Sequence, residues 1–123
     1  MITVRIVRDN SRKVTGLFVN GHSGYAEEGS DIICAGASTL VYTLANSLER
    51  ICGIDTKYST RIAEDKGDGN VSAEIILPDG RFRDEAAKDR AQVIMETMIL
   101  GFMTLAQSAN QDGNRYINII EEI

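Results

Sequence analysis

The stretch IICAGASTLVYTLANSLERICG, residues 32–53, decides the fold. Its apolar residues recur at steps of three and four, the period of an α-helix that buries one face. They are Leu40, Val41, Leu44, Leu48, Ile51 and Cys52. Gly53 follows as a typical helix stop. The stretch therefore predicts a long helix that packs on a sheet.

Strand patterns flank this helix on both sides. Apolar residues alternate with other residues at the N-terminus, as in Ile2, Val4 and Ile6, and a second helical period precedes the C-terminus. The predicted elements are strands over residues 2–8 and 14–19, the first helix, strands over 56–62 and 71–77, a second helix over 84–109 and a closing strand over 116–120. This ββαββαβ order predicts an α+β fold, a mostly antiparallel or mixed sheet with both long helices packed on it.

The composition fits one globular domain spanning residues 1–123, with 43% hydrophobic and 25% charged residues. The net charge of −5 argues against binding a phosphate backbone and favours a basic partner, so direct contact with nucleic acid is not expected. The N-terminus lacks the layout of a signal peptide, and the longest nearly apolar stretch, residues 93–106, is too short to span a bilayer. We expect a cytoplasmic protein without membrane contact.

The second half of the second helix is apolar almost all the way round. Beside its main stripe it carries Val93, Ile99, Leu100, Phe102 and Met103. Such a helix needs cover on more than one side. A second copy of the chain would provide it and make a homodimer, and the first helix of the same chain could provide it equally well.

Residues 21–38, GHSGYAEEGSDIICAGAS, contain the candidates for chemistry. The sole histidine, His22, follows a predicted strand, and Cys34 stands near the predicted start of the first helix. The connection between them is longer than most strand-to-helix links and contains Gly24 and Gly29, which predicts a flexible loop that could act as a lid. No nucleotide-binding motif and no metal-ligand spacing is found, so neither cofactor nor metal is expected.

Cys34 and His22 predict a nucleophile and its partner. A helix N-terminus favours a thiolate but contributes at most about 2 kcal/mol, so a cation must supply the rest. His22 as an imidazolium could do so and then protonate a leaving amine. The backbone N–H groups of Cys34 and Ala35, free of helical partners at a helix start, could hold an oxyanion. A buried cysteine and a structural histidine would give the same pattern.

Three neighbouring residues also admit more than one interpretation. Asp31 could cap the first helix, or it could orient His22 as the third member of a triad. Ser38 lies one turn after Cys34 and could hydrogen-bond within the site or pack on the sheet. Cys52 is expected in the core, about 27 Å along the helix from Cys34 and out of reach of a disulfide.

The block formed by residues 21–26, Gly29, residues 31–35 and Ser38 resembles the ribosomal-processing cysteine protease family, called Prp, and the length and element order agree over the whole chain. Differences occur at Ser23 and Gly36, where family members often carry alanine or another small residue. The resemblance implies an endopeptidase that removes an N-terminal extension from large-subunit ribosomal protein number twenty-seven, after an aromatic residue that precedes a basic segment.

The resemblance also implies roles for particular residues. Cys34 would be the nucleophile, His22 its partner, and Asp31 and Ser38 supporting residues of the site. It further implies a homodimer and a glycine-rich loop that orders over the substrate. A noncatalytic ribosome-assembly module with the loop as its docking surface is the alternative, and a thiol redox sensor is weaker because Cys52 cannot reach Cys34.

Overall fold

The structure, a computed structural model, describes residues 1–21, 28–63, 71–113 and 115–123, with no account of the side chains of residues 28–31 and 112. Two long helices and a mixed sheet dominate it. The elements are β1 (Ile2–Arg8), β2 (Val14–Gly21), α1 (Glu28–Cys52), α2 (Thr56–Ser59), β3 (Thr60–Ala63), β4 (Val71–Ile76), α3 (Glu85–Ala109), a 3-10 turn (Gln111–Gly113) and β5 (Ile117–Glu122).

The five strands lie in the order β3-β4-β2-β1-β5. β5 runs parallel to β1, and the other neighbouring strands are antiparallel. Alternation along the strands buries one face, because every second residue of a strand points to the same side. Its buried members include Ile2, Val4, Ile6, Leu17, Val19, Ala73, Ile75 and Ile117. α1 and α3 cover this face and contact each other along their length, which confirms the predicted α+β architecture.

The two long helices pack antiparallel and very close at two glycines. A Cβ atom on Gly101 would lie 2.8 Å from Cδ2 of Leu40, and one on Gly36 would lie 3.0 Å from Cδ1 of Leu105. Each leucine therefore fills the space above a glycine of the opposite helix. This packing sets the start of α1 beside the C-terminal half of α3.

α1 covers only part of the broad apolar surface of α3. Ile99 and Phe102 are buried, whereas Val93 and Leu100 remain 66% and 63% exposed and Met103 is 41% exposed. α1 thus covers one side of α3, and an apolar stripe on the other side of α3 stays exposed.

Most strand ends differ from the sequence prediction by one or two residues, and two element boundaries differ by four. Residues 56–62 were expected to form one strand, but Thr56–Ser59 forms a helical turn and β3 begins only at Thr60. The carboxylate of Asp55 accepts a hydrogen bond from the backbone N–H of Lys57 at 3.0 Å, and this cap stabilises the turn. The other difference is at the start of α1, which begins at Glu28, four residues before the predicted start.

The sequence pattern gives no signal for the first turn of α1. Residues 28–31 carry no apolar period, and glycine, serine and aspartate have modest helix propensity, so the pattern gives no signal for a helix there. Two of the four residues are acidic, which suits the positive end of a helix. The C-terminal end agrees with the prediction, because Gly53 adopts φ +71° and its N–H donates to the carbonyl of Glu49 at 3.0 Å.

Candidate active site

Cys34 lies in the second turn of α1, where the helix passes from solvent to core. Ile32 before it is 72% exposed, Ile33 is buried, and Cys34 itself is half-buried against the hydrophobic core. It forms no disulfide. A thiol in this position is held by the core on one side and open to a reagent on the other.

The helix bounds bear on the predicted backbone donors. A helix leaves its first four N–H groups without helical partners, and in α1 these belong to residues 28–31. The amides of Cys34 and Ala35 lie beyond this first turn, and their role as oxyanion donors stays a prediction. By the same bounds, Asp31 lies inside α1 and is not its N-cap, and Gly29 belongs to the first turn of the helix and not to the loop.

Ser38 follows one turn after Cys34 and lies on the same face of α1. It is half-buried and lines a recess of about 120 Å³ between α1 and the ends of β3 and β4. Val41 and Tyr42 line the recess from the helix, and Ile62 and Ala73 line it from the sheet. Cys34 therefore lies one helical turn from a residue that lines this recess.

The remaining predicted site residues fall outside what the structure describes. His22 and Gly24 lie in the undescribed stretch 22–27, and the side chain of Asp31 is likewise not described. The end of the preceding strand is described, since Gly21 closes β2 opposite Ile2 of β1 and Val71 of β4. β2 therefore ends at the residue before His22, and this end of β2 lies at the same end of the sheet as the recess.

Gly21, the last residue of β2, has a backbone constraint that sequence reasoning did not single out. Its φ is +121°, and a Cβ atom there would lie 2.2 Å from the carbonyl oxygen of Met1. No L side chain fits this backbone without displacing β1 or β2. The only signal in the sequence is its place directly before His22, so the close contact with Met1 had to come from the fold.

Cys52 shows the opposite environment at the far end of α1. It is 1% exposed, and burial raises the pKa of its thiol above the ordinary value, with the positive charge of Arg90 opposing that shift. The predicted core role of Cys52 is confirmed.

Two kinds of feature are absent from the described ranges. No helix there is both long and apolar enough to cross a bilayer. No group of three His, Cys, Asp or Glu residues there could hold a metal ion.

Known proteins match this chain over most of its length, both in sequence and in fold. The family model described as cysteine protease Prp matches residues 1–114. A relative from Staphylococcus aureus, "Ribosomal processing cysteine protease Prp", is 30% identical over 112 residues, which are 91% of this chain and 94% of the relative. Two solved structures of Prp from S. aureus, one with a substrate peptide and one with a covalently linked product peptide, match with TM-scores of 0.70 and 0.69. Their identities are 28% and 30%, and each covers 99% of this chain and 100% of the other.

The fold and these matches define a cysteine protease, which confirms the expected enzyme class, a cysteine endopeptidase. The chain belongs to the cysteine protease Prp family, as the resemblance in residues 21–38 indicated.

We expect Gly21→Ala to destabilise the protein and to lower peptide cleavage. The new Cβ would meet the Met1 carbonyl, and the strained φ alone costs about 1–2 kcal/mol. Gly80→Ala is the matched control, because Gly80 has φ +73° with nothing within 4 Å of the added atom. Thermal unfolding should show the larger loss for Gly21→Ala, and equal losses in the two variants would contradict the contact with Met1.

Proposed function

We propose that this chain is a cytoplasmic processing endopeptidase that removes the N-terminal extension of large-subunit ribosomal protein number twenty-seven. Family membership and the name of the S. aureus relative support ribosomal processing. The observation that carries the proposal is the half-buried Cys34, one helical turn before Ser38 at a recess of about 120 Å³, in a fold whose solved relative holds a covalently linked product peptide.

In the proposed reaction, the Cys34 thiolate attacks the carbonyl carbon of the scissile peptide bond and forms a C–S bond. The tetrahedral intermediate collapses, the C–N bond breaks, and His22 gives its proton to the leaving amine. Water then attacks the thioester, with His22 accepting a proton, which releases the carboxylate and restores the thiolate. Asp31 would orient His22, and Ser38 would hydrogen-bond within the site.

In the proposed reaction, unwinding at the start of α1 supplies the oxyanion donors. Residues 28–31 supply the carbonyls that pair with the amides of residues 32–35 in a regular helix. If substrate binding unwinds residues 28–31, the helix begins at Ile32 and the amides of Cys34 and Ala35 become two of its four free donors. Gly24 and Gly29 would give the loop and this turn the freedom to move over the substrate.

The charge of the chain suits a basic substrate segment. The formal net charge is −5, and residues 22–31 include three acidic residues and no lysine or arginine. Acidic side chains near the site would attract a lysine-rich or arginine-rich segment next to the cleaved bond.

Alanine variants of Cys34 and His22 test the proposed reaction directly. We expect Cys34→Ala and His22→Ala each to lower cleavage of the full-length ribosomal precursor by at least about a thousandfold, because each removes a group that acts in bond breaking. Mass spectrometry of the precursor measures the loss of the extension. Cys52→Ala, the same exchange in the core, should cleave normally, and circular dichroism checks that all variants are folded. Undiminished turnover in either site variant would contradict its assigned role.

Alkylation tests whether the thiolate is present without substrate. Iodoacetamide near neutral pH should modify Cys34 faster than free cysteine, because it reacts with the thiolate. Cys52 is the internal control, since its burial should protect it until the protein unfolds. Peptide mapping by mass spectrometry separates the two sites. An inert Cys34 in the folded protein would favour the noncatalytic binding module.

The exposed stripe of α3 supports a homodimer. Val93, Leu100 and Met103 lie on a surface that α1 does not cover, and a second copy could bury them. We expect light scattering to report a dimer at micromolar concentration and Leu100→Glu to shift it to a monomer. Ile51→Glu, an exposed apolar position on α1, is the control and should leave the dimer intact. A wild-type monomer would contradict the interface.

A further inference from the structure

Asn110 links the end of α3 to the start of β5. Its backbone N–H donates to the carbonyl of Ala106 at 2.8 Å and closes the last turn of α3. Its side-chain oxygen accepts hydrogen bonds from the N–H groups of Tyr116 at 2.8 Å and Ile117 at 3.2 Å. Its side-chain nitrogen donates to the carbonyl of Ile117 at 2.8 Å. The half-buried side chain of Asn110 therefore bonds three backbone groups at the start of β5.

The start of β5 lies beside the strand end that leads to His22. The N–H of Ile2, the first residue of β1, donates to the carbonyl of Tyr116 at 2.7 Å. On its other side Ile2 pairs with Gly21, the last residue of β2. Gly21 directly precedes His22 in the chain. Asn110 is thus connected, through the ends of three neighbouring strands, to the residue before the proposed acid.

α3 connects the same asparagine to Cys34. Leu105 lies five residues before Asn110, and its Cδ1 is 3.0 Å from the position of a Cβ atom on Gly36 of α1. Gly36 follows Cys34 by two residues in the same helix. Because this contact is close-packed, it fixes the start of α1 relative to the end of α3. The contacts that support Cys34 and the hydrogen bonds that lead to His22 therefore meet at Asn110.

We infer that Asn110 is a positioning residue of the protease, which sets the distance between the proposed nucleophile Cys34 and its partner His22. The inference rests on the proposed function, because it needs these two residues to react as a pair. Asn110 acts through α3 and the strand ends, and not on the substrate itself. A displacement of about 1 Å between reacting groups can lower a rate about a hundredfold, so the loss of three hydrogen bonds at this link should affect catalysis.

Gln92 provides a matched comparison in the same helix. Its half-buried side chain also bonds the backbone of a strand, accepting from the N–H of Val14 at 2.9 Å and donating to the carbonyl of Val14 at 2.8 Å. Val14 begins β2, about 23 Å from Gly21 at 3.3 Å per residue. A role in stability alone predicts similar effects for Asn110 and Gln92, whereas a positioning role predicts a loss of catalysis at Asn110 only.

The test compares Asn110→Ala and Gln92→Ala in cleavage of the full-length ribosomal precursor. We expect Asn110→Ala to lower kcat about ten- to a hundredfold with KM within about threefold of wild type, because the substrate still binds while the reacting groups are misaligned. Gln92→Ala should keep kcat within about threefold of wild type, whatever its loss in thermal unfolding. Equal losses of kcat in the two variants would overturn the inference, and so would a raised KM at unchanged kcat in Asn110→Ala.

Alkylation of Cys34 by iodoacetamide near neutral pH examines the pair without substrate. In Asn110→Ala the rate should fall at least about fivefold, towards that of free cysteine, because a displaced imidazolium stabilises the thiolate less. Gln92→Ala should react as fast as wild type. An unchanged rate in folded Asn110→Ala would contradict the positioning role.

Asn110→Asp is the second variant, which decides the outcome if Asn110→Ala does not fold. It keeps an oxygen that can accept from Tyr116 and Ile117 and loses the donor, so its kcat should fall about three- to tenfold. Wild-type kcat in this variant would overturn the inference. Failure of the proposed function looks different, because Cys34→Ala would then cleave as well as wild type. If only the positioning role is wrong, Cys34→Ala is inactive and the Asn110 variants keep the kcat of wild type.

Discussion

The close approach of α1 and α3 at their glycines is the contact on which the site depends. Leu40 fills the space above Gly101, and Leu105 fills the space above Gly36. Because the two helices cannot slide past these interlocked side chains, the N-terminal turns of α1 are held over the ends of β3 and β4. Cys34 and Ser38 lie within this fixed segment, so helix packing sets the position of the proposed nucleophile.

The two cysteines of α1 lie in two different environments. Cys52 lies deep in the core near the C-terminal end, where burial and the negative end of the helix dipole both disfavour a thiolate. Cys34 lies near the other end and is half-buried, two residues after the 72% exposed Ile32. Position along one helix, and not residue type, separates the buried thiol of Cys52 from the half-buried thiol of Cys34.

Sequence patterns predicted most of the fold, because the period of apolar residues is a local property. Ile2, Val4 and Ile6 alternate as a half-buried strand does, and Gly53 ends α1 as its sequence predicts. Prediction failed where a local hydrogen bond or a weak pattern decides the outcome. The Asp55 cap turned residues 56–59 into a helical turn, and residues 28–31 joined α1 without any apolar period.

The sequence by itself determined most of the element types, the family and the candidate pair of His22 and Cys34, since these follow from residue identities and their spacing. Only the tertiary structure decided that β5 pairs in parallel with β1, that Gly21 lies against the Met1 carbonyl, and that Ala73 and Ser38 face each other across a recess. Periodicity records which face of an element is buried. It does not record which distant residues meet on that face, because those contacts depend on strand order and helix packing over the whole chain.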